Sequence, residues 1–82
     1  MSYTYSIERA AAEVVLSVST REQRFLLDSF GQIAAAPFQA ADFEEIGMAG
    51  RRLLTRFFGP FSITYWRDDA AKEVRIALVY RD

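Results

Sequence analysis

The sequence predicts an α+β domain in which helices cover one face of a largely antiparallel sheet. Three observations lead there. Residues 50–82 divide into three β-rich runs, GRRLLTRFF, FSITYWR and EVRIALVYR, separated by the short turns GP and DDAAK. Residues 19–36 carry apolar side chains at helical spacing behind a capping signal. These two patterns occupy separate parts of the chain, so the helices gather on one side of the sheet instead of alternating with its strands. At 82 residues the chain makes a single domain, 1–82.

The elements follow in order. Tyr3 to Glu8 alternates, with Tyr3, Tyr5 and Ile7 on one side, and reads as a first strand. Arg9 to Val18 carries two signals. RAAAEVVL suits a helix through its alanines, and EVVLSVS suits a strand through its β-branched run. Helix is the favoured reading. Ser19 and Glu22 form a capping box that opens a helix running to Ala36. Leu26, Phe30, Ile33 and Ala34 recur on its inner face, and Pro37 stops it. Phe38 to Gly50 reads as a long loop in which FEEIG makes at most a short turn.

Period-two alternation then divides the meander into two faces. Leu53, Thr55, Phe57, Phe61, Ile63, Tyr65, Val74, Ile76, Leu78 and Tyr80 read as the core face. Arg52, Leu54, Arg56, Phe58, Ser62, Thr64, Trp66, Arg75, Ala77, Val79 and Arg81 read as the open one. One bulge would exchange the two sets over half a strand. Asp68 and Asp69 read as turn residues, and Glu44 and Glu45 as solvated charge.

Composition limits the chemistry. The chain has neither cysteine nor histidine, so it holds no thiolate nucleophile, no disulfide and no histidine- or cysteine-based metal site. No metal or other cofactor is expected. A leader pattern and a run long enough to cross a bilayer are both missing from the sequence, which predicts a cytoplasmic protein without a membrane partner. The net charge of −1 argues against nonspecific nucleic-acid binding by the whole molecule. The charge is uneven, however. Residues 1–50 carry three basic and seven acidic side chains, and residues 51–82 carry seven and four. The basic residues Arg51, Arg52, Arg56, Arg75 and Arg81, with Trp66 among them, therefore mark a surface for RNA or for an acidic partner.

This arrangement resembles the RelE/ParE superfamily of toxins from bacterial toxin–antitoxin systems. The residues that carry the resemblance are YTYSI at the start, IAAAP at Ile33–Pro37, and the meander residues Arg56, Gly59, Phe61, Ile63, Tyr65, Asp68, Asp69, Val74, Ile76 and Val79. The resemblance implies a toxin neutralised by a cognate antitoxin that covers its basic surface. It also implies one of two targets: RelE-type members cut mRNA on the ribosome, and ParE-type members block DNA gyrase without cutting. A metal-independent endoribonuclease must take a proton from a ribose 2′-hydroxyl and hold a phosphate that gains charge. Arg52, Arg56 and Arg81 are the catalytic candidates on this reading, by their closeness to the basic residues of RelE-type members. Ser62 stands where those members carry an arginine. The last strand is followed only by Asp82, with no counterpart to their terminal tyrosine. These departures make the arginine-bearing face a better surface for binding than for catalysis.

Overall fold

A computed structural model describes residues 2–82 and bears out the α+β reading. The first half holds β1 (Thr4–Ile7), α1 (Arg9–Ser17), α2 (Thr20–Ala35) and β2 (Phe43–Ile46); the second holds β3 (Arg52–Phe58), β4 (Phe61–Asp68) and β5 (Glu73–Arg81). All five strands join one sheet in the order β1-β5-β4-β3-β2. β1 runs parallel to β5, and the other three pairs are antiparallel.

Residues 9–17 are helical because Ala11 and Val15, one turn apart, are buried in the core cluster. Their burial settles what local propensity left open. Ser19 begins α2 as its sequence requires, with the Glu22 amide donating to Ser19 Oγ at 3.2 Å. Leu26, Phe30 and Ile33 form a fully buried stripe. The Phe30 ring meets Tyr5 of β1 edge-on, with centroids 5.6 Å apart. At the far end the Ala36 amide donates to the Gln32 and Ile33 carbonyls before Pro37 ends the helix.

Residues 38–50 contain a strand where the sequence suggests a loop. β2 pairs with β3 from Phe43↔Thr55 to Ile46↔Arg52. All four of its residues are exposed, so the pairing leaves no hydrophobic alternation to read. The strand forms because the outer edge of β3 offers unpaired backbone groups to satisfy.

The larger correction concerns the two sheet faces. Residues opposite one another across a ladder share a face. The helix-covered face holds the rows Leu54–Tyr65–Ile76–Ile7, Arg56–Ile63–Val79, Phe58–Phe61–Arg81 and Arg67–Val74–Tyr5. In β3 it is therefore Leu54 that is buried, and Phe57 is 58% exposed. Between β4 and β5 the register shifts at Thr64/Tyr65, which leaves Ala77 of β5 as an extra residue between Leu78 and Ile76. That bulge carries Val79 into the core and turns Tyr80 out to solvent. β3 has apolar residues in both phases, so alternation alone does not determine which set is buried.

A candidate partner-binding face

The sheet face away from the helices presents three rows: Phe43–Thr55–Thr64–Leu78, Phe57–Ser62–Tyr80 and Trp66–Arg75–Ser6. Phe43, Phe57 and Tyr80 are each about 60% exposed. The hydroxyls of Thr55 and Thr64 bond to each other across the ladder at 2.8 Å. This is an apolar surface with a polar seam, and its cationic groups sit at one end.

That end is built around Trp66. The Arg51 guanidinium stacks 3.8 Å from the indole ring, and Arg75 lies 5.3 Å from it. An exposed cation–ring pair of this kind contributes about 0.5–1 kcal/mol. The indole N–H donates to Glu8 Oε2 at 3.1 Å. Glu8 stands at the start of α1, yet its carboxylate makes no capping bond there. Its amide instead extends the β1–β5 ladder, donating to the Ile76 carbonyl at 2.8 Å. A hollow of about 270 Å³ opens between Glu8, Gly47, Arg51, Leu53, Trp66 and Ala77. The turn carrying Arg51 is closed by a 2.7 Å bond from the Gly47 amide to the Arg51 carbonyl. Arg75 is tied to Asp68 and Glu73 at 3.1 Å each. Among the described residues, Arg51 has no carboxylate partner.

The residues marked in the sequence separate into two groups. Arg51, Trp66 and Arg75 converge on the open face. Arg52, Arg56 and Arg81 lie on the helix-covered face, so the expectation of one continuous arginine surface is not met. Arg52 pairs with Glu44 of β2 at 3.6 Å. Arg81 pairs with Glu22 of α2 and lies over Phe61. Arg56 stacks 4.9 Å from Phe58, beside the buried Tyr65 hydroxyl. Arg52 and Arg56, four residues apart on one strand, are separated by roughly 13 Å. The reason is the phase error: alternation counted from the wrong residue of β3 moves each of its arginines to the opposite face. Sequence reasoning also passed over Glu8, Leu53, Phe57 and Tyr80. Leu53 and Phe57 read as core through the same β3 phase, Tyr80 through the unmarked β5 bulge, and Glu8 reaches Trp66 only through the β1–β5 pairing, 58 residues away in sequence.

Two carboxylates near these elements are held below the usual range. Asp68 is lowered chiefly by the bond it accepts from the Ala71 amide and then by Arg75, and Glu22 chiefly by Arg81. Burial pushes the Tyr65 hydroxyl up, with Arg56 partly opposing it. Among the described residues no helix is long and apolar enough to cross a membrane, and no group of acidic side chains is placed to hold a metal ion.

No protein-family model and no curated protein matches the sequence. Solved structures do match it. A chain of the archaeal RelE–RelB complex from Pyrococcus horikoshii OT3 gives a TM-score of 0.75 at 15% identity, over 99% of this chain and 96% of that one. A chain of the toxin–antitoxin complex RelBE2 from Mycobacterium tuberculosis gives 0.81 at 20% identity, over 99% of this chain and 92% of that one. At these identities the likeness is one of architecture, and it spans nearly the whole chain: the fold of this protein is RelE-like.

Proposed function

We propose that this chain is the toxin component of a type II toxin–antitoxin pair, and that its bare sheet face is where a cognate antitoxin docks. The observation that supports this most is the face itself, with Phe43, Phe57 and Tyr80 exposed on a fold shared with chains from two toxin–antitoxin complexes. Contiguous apolar surface of this kind marks an interaction site. Arg51, Trp66 and Arg75 form the charged end of that site.

The toxic act, on this reading, is binding to a cellular target and not cleavage of RNA. Metal-free phosphodiester cleavage asks for a proton acceptor and several cations around one phosphate. Arg52, Arg56 and Arg81 are divided from the open face and held by Glu44, Phe58 and Glu22. Arginine is also a poor proton acceptor, because its charge is permanent. The open face contributes hydroxyls and rings at the positions between. DNA gyrase is the target class that fits a binding-only toxin within this fold.

The test is expression in a bacterial host, alone and together with any small reading frame found beside its gene. Growth arrest relieved by co-expression is the expected result, and Phe57→Asp should remove the arrest while Arg52→Ala preserves it. Absence of arrest in every host would tell against a toxin. Ribosome-dependent cleavage of a model mRNA by the purified chain would replace the binding reading with the endoribonuclease one.

A further inference from the structure

Resting on the toxin–antitoxin reading, we propose that the hollow beside Trp66 is the anchor point of the antitoxin. It takes one aliphatic side chain from a partner segment that carries an acidic residue next to it. Three features of the hollow specify this occupant.

The walls are apolar. Leu53 and Ala77 line the hollow with Trp66, and Gly47 contributes no side chain. An open hollow of about 270 Å³ has room for a branched side chain together with part of the backbone that carries it. Ala77 is the bulge residue of β5, so the hollow exists because the ladder gives way at that point.

The rim is charged in a polar order. Arg52, Arg67, Arg75 and Arg81 each have a carboxylate partner. Arg51 has none among the described residues, and its guanidinium lies over Trp66, 3.8 Å from the ring centroid. A planar cation resting on a ring and free of a carboxylate partner is prepared to take one. On the other side of the hollow, Glu8 Oε2 accepts the Trp66 indole N–H, and its second oxygen makes no hydrogen bond within the described chain. That oxygen accepts an N–H from the partner. The acidic residue therefore sits toward Arg51 and a donor sits toward Glu8.

The surroundings favour protein over nucleic acid. A phosphate would also suit Arg51, but a polyanion laid along this face would meet the Glu8 carboxylate and then Leu53, Phe57 and Tyr80. Arg75 is already engaged by Asp68 and Glu73.

The experiment measures calorimetric affinity between the purified chain and the purified product of the neighbouring reading frame. Wild type is compared with Ala77→Phe, Arg51→Ala and the α2 surface control Arg24→Ala, each checked for folding by thermal denaturation. Filling the hollow with Ala77→Phe should weaken binding by roughly 30-fold or more, as loss of an anchor does. Arg51→Ala should weaken it by about tenfold and flatten its salt dependence. Arg24→Ala should change nothing. Trp66 is the chain's single tryptophan, so complex formation should also shift its emission. If wild type binds and Ala77→Phe and Arg51→Ala bind equally well, the anchor proposal fails and the toxin–antitoxin reading stands. Should Ala77→Phe not fold, Arg51→Ala alone decides the matter. If wild type binds no such product and arrests no growth, both readings fail. Displacement of the bound protein by a single-stranded RNA oligonucleotide, with Trp66 quenching, would assign the hollow to nucleic acid and overturn the proposal.

Discussion

Tyr65 is the largest fully buried side chain of the core, and its hydroxyl makes no hydrogen bond. The Arg56 guanidinium lies beside it, and Arg56 Nη1 is likewise buried without a partner. The ring contributes by filling the core between Leu54 and Ile76, its neighbours across the ladder. The oxygen contributes only the cost of leaving water. Removing an unsatisfied buried polar atom relieves that cost, whereas removing the ring opens a cavity. Tyr65→Phe should therefore change stability by less than about 1 kcal/mol, or raise it. Tyr65→Ala should cost about 3–5 kcal/mol. Chemical denaturation of the two variants checks both values. A loss of several kcal/mol for Tyr65→Phe would show that the hydroxyl and Arg56 act as a bonded pair.

Among the elements, α2 was the most legible. Ser19, Glu22, the Leu26/Phe30/Ile33 stripe and Pro37 each state one local rule, and the helix obeys all of them. Gly31 is the exception. A Cβ built there meets nothing within 4 Å, so packing gives no reason for glycine in mid-helix. Gly31→Ala should stabilise the protein by about 0.5–1 kcal/mol, read as a rise in Tm. A fall would mean that the added methyl meets a neighbour that the open space around Gly31 does not show. The strands were harder to read. The existence and turns of β1, β3, β4 and β5 followed from the sequence, including Gly59, whose φ of 55° admits little else and where a Cβ would come within 3.0 Å of the Phe25 ring. Their phase did not follow. β3 carries apolar residues on both faces, and β5 changes phase at Ala77. A period-two pattern has no internal mark for either event. The assignment of Arg52, Arg56 and Arg81 to the open face failed for that reason alone.

On the scale of the whole molecule, charge ties distant parts together. Glu22 and Arg81 join the first turn of α2 to the end of β5, and Asp68 and Arg75 brace the β4–β5 turn. Both carboxylates are depressed, so in the acid range the folded chain binds fewer protons than the unfolded one. Their contribution is complete above the ordinary carboxylate range and is lost as pH falls through the lowered folded values. The Tm should be flat near neutrality and decline below about pH 4. The double variant Glu22→Gln, Asp68→Asn should melt lower at pH 7 and decline less steeply in acid. An unchanged acid limb would place the sensitivity in other carboxylates.

The sequence by itself determined the fold class, the second helix, the three-stranded meander and the likeness to RelE toxins, while burial of Ala11 and Val15 decided the first helix. These rest on local signals: caps, turn residues and the spacing of apolar side chains. The tertiary structure alone decided which sheet face is bare and which arginines share it. Pairing across the ladder, one bulge and an edge strand without hydrophobic alternation set those outcomes, and each depends on residues far apart in the chain. The surface that carries the proposed function therefore runs from Trp66, Arg51 and Arg75 at one end, across the Thr55–Thr64–Leu78 row, to Phe57 and Tyr80. Arg52 and Arg81 pair with Glu44 of the edge strand and Glu22 of α2, and Arg56 lies over Phe58.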